Sequence, residues 1–185
     1  MLALLKGFIA AFALWLPGAA LAEDPGTVTA TGVQGEVVDG IYRLDASLHV
    51  RLSDIQQEAL ENGVPLFFDL HVEVLHQRDW IWDARIGHAR QRYRLTYHAL
   101  SRQYRLESLS ESRAWTFPTL NSVLEALGRV QDLELVEAAE LEPGEEYMGR
   151  LRLMLDRGAL PLPMRVDAYT REGWRLLSEW YLWSL

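Results

Sequence analysis

From Ile41 to Leu52 apolar and polar side chains alternate without a break: Tyr42, Leu44, Ala46, Leu48, Val50 and Leu52 against Arg43, Asp45, Ser47, His49 and Arg51. A period of two is that of a strand with one face in a core and the other in water. Asp39-Gly40 just before it is a hairpin turn signal, so the partner strand runs from Thr27 to Val38, where Gly32 and Gly35 predict a bulge. Val64 to Gln77 alternates in the same way, with Val64, Leu66, Phe68, Leu70, Val72 and Val74 on one face and Asp69, His71 and Glu73 on the other; Arg85 to Leu100 follows suit. Apolar faces coincide only if paired residue numbers have an odd sum, and a two-residue turn at Trp80-Ile81 sets that sum at 161. Glu73 then faces His88 and Asp69 faces Arg92. A second turn at Ser101-Arg102 places Tyr97 opposite Leu106, Ala99 opposite Tyr104 and Thr96 opposite Glu107, which completes a three-stranded meander.

Two stretches break this pattern at helical spacing. Ser53-Asp54-Ile55-Gln56 has the form of a capping box and is followed by a short apolar run that Asn62-Gly63 stops. Leu120, Val123, Leu124 and Leu127 form one helical face, with Thr119 as cap and Gly128 as stop. Further strands are expected near Asp132 to Val136 and from Tyr147 to Leu155, joined through Pro143-Gly144. Leu160-Pro161-Leu162-Pro163 reads as extended, either a protected edge strand or a partner-docking segment. From Glu179 onward both alternation faces are apolar, which predicts a buried terminal strand. The fold class is therefore mainly β: an antiparallel two-sheet β-sandwich, immunoglobulin-like in general architecture, with two short helices.

The first 22 residues stand apart. Lys6, the apolar run from Gly7 to Leu16, Pro17 and Ala20-Leu21-Ala22 have the layout of a secretory signal peptide, cleaved after Ala22, and the run is too short to span a bilayer. Residues 23–185 then form a single β-rich domain in the periplasm, and charges interrupt each later apolar run, so no membrane span is expected after cleavage. The chain contains no cysteine. An exported protein of this kind has no disulfides, thiol nucleophile, thiolate metal site or lipid-modified cysteine. Its only lysine is Lys6, so the mature chain sets 17 arginines against 26 acids, a net charge of −9. Schiff-base and phosphate-loop lysines are excluded, and the acidic balance argues against nucleic acid and anionic membranes as partners.

Candidate chemistry is sparse. His71, Glu73 and His88 converge on one solvated face in the register above, the minimum for a metal or acid-base site, but Arg90 faces His71 and opposes both a bound metal and a protonated imidazole. No G-x-S-x-G elbow and no paired-histidine motif is present, so the reading is non-enzymatic, with no cofactor. The turn around Trp80, Trp82 and Asp83 is unusual, because hairpin tips normally use small polar residues. It is either an interaction surface or a pair of indoles folded over an open sandwich end, and Trp115 and Trp174 carry the same two readings.

Several segments in order, Glu61 to Leu66, Arg92 to Leu95 with Tyr97 to Ser101, Phe117 to Leu120 and Ser178 to Tyr181, resemble the proteobacterial exported family catalogued as domain of unknown function 4390. The resemblance covers nearly all of the mature chain and implies a Gram-negative periplasmic protein with an envelope partner such as a membrane sensor; it brings no catalytic residue or cofactor. The expected function is a non-catalytic interaction or regulatory module of the cell envelope. A small-molecule or lipid-binding protein is the second reading, which calls for an apolar pocket between the sheets, and a hydrolase the third.

Overall fold

The computed structural model describes residues 24–77 and 84–185. The expected signal peptide and its cleavage site, and the Trp80, Trp82 and Asp83 turn, lie outside the described residues.

Two antiparallel sheets form, and neither closes into a barrel. Strands β1 (Thr27–Val38), β2 (Ile41–Arg51) and β7 (Arg129–Glu137) make a small sheet in the order β1-β2-β7. Strands β6 (Arg113–Phe117), β5 (Gln103–Ser108), β4 (Ala84–His98), β3 (Leu66–His76), β8 (Tyr147–Leu155) and β9 (Tyr181–Ser184) make a large one in that order. The alternation of β2 delivers Leu44, Ala46, Leu48 and Val50 to the core, where they meet Phe68, Leu70, Val72 and Val74 of β3 and Leu151, Leu153 and Leu155 of β8. Phe68, Val72 and Val74 are wholly enclosed. The predicted bulge in β1 falls between Ala30 and Gly32.

Helix α1 (Asp54–Glu61) carries the full capping box: the Ser53 hydroxyl accepts from the Gln56 amide, and the Gln56 side chain accepts from the Ser53 amide. Both side chains are buried and both also donate to the carbonyl of Gly173, the Ser53 hydroxyl at 2.5 Å and the Gln56 amide at 3.0 Å. This knot ties the start of α1 to the turn that buries Trp174. Helix α2 (Leu120–Leu127) is capped by Thr119 and buries Val123, Leu124 and Leu127. It ends on Gly128, whose carbonyl accepts from the Leu48 amide at 2.7 Å.

The β3–β4 register follows the predicted sum of 161, including Glu73 opposite His88 and Asp69 opposite Arg92, until a bulge between Val74 and Leu75. The next register does not. Tyr97 pairs with Tyr104, Leu95 with Leu106 and Thr96 with Arg105. A two-residue turn at Ser101-Arg102 would need positive φ at Ser101, alone in type II′ or together with Arg102 in type I′. The chain instead uses a four-residue loop in which only Arg102 (φ 52°) is left-handed, shifting the pairing by two and keeping the inward face. Strand β6 extends the meander by one strand.

Two further expectations give way. Leu160 to Pro163 is not a strand: Pro161 and Pro163 start a third helix, α3 (Leu162–Thr170), in the first turn, where a missing amide costs nothing. The terminal strand β9 is an edge strand pairing only with β8, so Tyr181, Leu182 and Leu185 remain partly exposed while Trp183 lies over Gly149 and donates to the Tyr42 hydroxyl at 3.1 Å. Of the two ambiguous tryptophans, Trp174 is core and Trp115 is 41% exposed on β6, beyond the reach of the small sheet.

Candidate functional site

The face of the large sheet that points away from the core is set by the same alternation that fills the core. Outward positions are His88, Arg90, Arg92 and Arg94 on β4, Phe67, Asp69, His71 and Glu73 on β3, Arg150 and Arg152 on β8, and Arg105 and Glu107 on β5. His71 lies between Arg90 on one side and Arg152 on the other, and Glu73 between His88 and Arg150.

Asp69, Glu73 and Glu107 each serve two guanidinium groups, and Asp156 serves one. Asp69 is 3.0 Å from Arg90 and 3.7 Å from Arg92. Glu73 accepts from Arg85 at 3.1 Å and from Arg150 Nε at 2.7 Å. Glu107 pairs with Arg94 and with Arg105, the latter at 2.8 Å. Asp156, just past β8, accepts from Arg92 at 2.7 Å. Arg152 stacks 4.3 Å from the centroid of Trp180, which Arg150 also covers at 4.5 Å.

The vertical order of these charges matters more than the pairs themselves. The side chains of Asp69, Glu73 and Glu107 are only 6%, 14% and 15% exposed, whereas Arg85 and Arg90 are 56% and 55% exposed and Arg94 and Arg105 exceed 40%. The acids lie low on the sheet and the guanidinium groups roof them. Among the described residues seven arginines and four acids meet here, so the outermost layer of this face is cationic in a chain whose net charge is −8.

Titration follows from the same arrangement. Burial alone would push the Glu73 carboxyl up, but hydrogen bonds from Arg150 and Arg85 outweigh it and hold the group below its ordinary range. The Arg94 hydrogen bond holds Glu107 low in the same way, with Arg105 adding to it. Burial, followed by the charges of Arg90 and Arg152, keeps the His71 imidazole neutral below its usual pKa. The structure thus brings His71, Glu73 and His88 onto one face as the alternation predicts, but spends Glu73 on two arginines and surrounds His71 with two more. Among the described residues no group of three His, Cys, Asp or Glu side chains is placed to hold a metal ion.

Sequence reasoning missed the arginine canopy. Its signal is Arg90-x-Arg92-x-Arg94 and Arg150-x-Arg152, arginines at the outward period of two; the overall negative charge concealed them. A cleft of about 420 Å³ on the opposite side of β4, between Gln91, Tyr93, Glu111 and the β7 segment Val130 to Glu134, is open and polar. Burial, reinforced by Glu111, pushes the Tyr93 hydroxyl at its floor up to about 12.

The fold and this face define a two-sheet β-sandwich with a guanidinium-roofed outer sheet. The chain belongs to the family described as domain of unknown function 4390, whose profile matches residues 27–184. Comparison with curated proteins and with solved structures gives no match.

Proposed function

We propose that the protein is a non-catalytic interaction module of the cell envelope that docks a partner protein, such as a membrane sensor, through the outer face of the large sheet. The observation that carries this reading is the layering of charge: buried carboxylates beneath exposed guanidinium groups. Stabilisation of the sheet alone needs no such excess. Exposed ion pairs contribute about 0–1 kcal/mol each, and four acids would be satisfied by four arginines. Segregating positive charge on one face of an acidic chain produces a field that steers an oppositely charged partner and orients the encounter.

The polar character of the cleft beside Tyr93 does not favour the small-molecule or lipid-binding alternative, which requires an apolar pocket. Cross-linking in intact cells, with wild type and an Arg90→Gln, Arg152→Gln double variant, tests the docking face. The partner adduct is expected to disappear in the variant while its thermal unfolding stays cooperative. An adduct of unchanged yield would refute the assignment. Fractionation and N-terminal sequencing test the compartment, with a periplasmic chain beginning at Glu23 as the expected result.

A further inference from the structure

We infer that the ligand of the arginine face is an extended, acidic segment of the partner protein, with carboxylates at every second residue. This rests on the docking role proposed above and names the chemistry that fills it. Arg90, Arg92 and Arg94 are successive outward positions of β4, so their origins recur about every 7 Å along the strand. Arg150 and Arg152 repeat that interval on β8, two strand spacings or about 10 Å away. An extended chain bearing acids at alternate positions has the same repeat; Arg90, Arg94 and Arg150 already turn a fork to Asp69, Glu107 and Glu73, so a partner carboxylate draws on their remaining N–H groups and on Arg152, which pairs with no carboxylate among the described residues.

The row Arg90–His71–Arg152 is central to the fit. It contains no acid, whereas the adjacent rows contain Asp69 and Glu73. Arg152 is stacked on the Trp180 indole, as Arg150 is, and its Nε is enclosed and unpartnered. Stacking on Trp180 fixes the guanidinium plane and reduces the ordering cost of binding a carboxylate. A partner acid reaching this row therefore meets two guanidinium groups: Arg152, which faces no carboxylate, and Arg90, which it shares with Asp69 of the adjacent row.

Denser polyanions fit less well. Asp69, Glu73 and Glu107 are fixed anions beneath the canopy, and the chain as a whole carries a net charge of −8. An anionic bilayer or a nucleic acid presents phosphates over an area wider than this face and would be repelled by the rest of the surface. A single peptide strand touches the face alone.

The test is fluorescence anisotropy with a labelled peptide of alternating glutamate and serine, added to the purified mature chain, with a lysine–serine peptide and phosphatidylglycerol vesicles as the other arms. The acidic peptide is expected to bind, to weaken as salt rises, and to lose about tenfold or more in affinity with Arg90→Gln, Arg152→Gln. Arg90→Lys, which keeps the charge but not the fork, should lose less, and Arg129→Gln on β7 should lose nothing. Equal binding of the acidic peptide to wild type and the double variant would overturn the inference. So would arginine-dependent binding of vesicles without binding of the peptide. If the peptide fails while the cellular adduct still depends on Arg90 and Arg152, the docking role stands and the acidic strand falls; if both fail, both are wrong.

Discussion

Replacing Ser53 by alanine removes a single oxygen from a buried knot, and the structure sets what that should cost. The hydroxyl is the N-cap of α1, accepting from the Gln56 amide at 3.2 Å, and it also donates to the Gly173 carbonyl at 2.5 Å. Loss of an N-cap of this kind costs about 1 kcal/mol. Loss of the second bond adds about 0.5–1.5 kcal/mol, at the lower end because Gln56 still donates to the same carbonyl at 3.0 Å. The expected destabilisation is therefore about 1.5–2 kcal/mol, or roughly 3–8 °C in Tm for a domain of this size. Urea unfolding followed by tryptophan fluorescence should show a lower midpoint with an unchanged slope. Ser53→Thr, which retains the hydroxyl, should recover most of the loss. A shift below about 0.5 kcal/mol for Ser53→Ala would mean that the knot does not hold α1 to the Trp174 turn, and the reasoning would be wrong.

Gly128→Ala should destabilise strongly, since a Cβ there would stand 2.0 Å from the Leu48 carbonyl oxygen, whereas Gly32→Ala, with nothing within 4 Å, should be near neutral; paired urea melts compare them. Phe68→Ala, in a fully enclosed site, should cost about 3–5 kcal/mol by the same measurement. His71 has a folded pKa below its unfolded value, so the native state binds fewer protons than the unfolded chain as pH falls past about 6.5. Stability relative to His71→Gln should therefore decline below that pH and be constant above it, and urea midpoints measured from pH 8 to pH 5 would refute this if the difference stayed flat. Glu73 has the opposite sense for an acid: its lowered pKa contributes stability above the usual carboxylate range, and the advantage of wild type over Glu73→Gln should shrink as pH falls below about 4.

What the sequence discloses depends on how local the determining physics is. The β3–β4 register was legible because both strands are long with one apolar face each, which demands an odd sum, and the turn expected at Trp80-Ile81 picked the right one of the odd sums. The β4–β5 register was not, because the decision lies in turn chemistry, where Arg102 takes a left-handed conformation that its residue type does not advertise. The prolines around Leu162 are equally compatible with an extended edge and with a helix N-terminus; the third helix won. The arginine canopy lay furthest from view. Arg90, Arg92 and Arg94 announce an outward stripe, but the roof over Glu73 needs Arg150, 77 residues away, and nothing local states that β8 comes to lie against β3.

That non-local pairing has a consequence in time as well as in space. The small sheet is incomplete until β7 reaches β2, with Tyr42 against Val136, and the large one until β8 reaches β3, with Phe68 against Leu155. Each closure spans about half of the chain, and folding slows as such separations grow. A nascent chain therefore lacks the strand that completes either sheet until most of its length has been synthesised. The β1–β2 hairpin and the β3–β6 meander can form early, but the two sheets cannot close over a common core before β7 and β8 emerge, and for the envelope location proposed above that would postpone the finished fold to the end of synthesis.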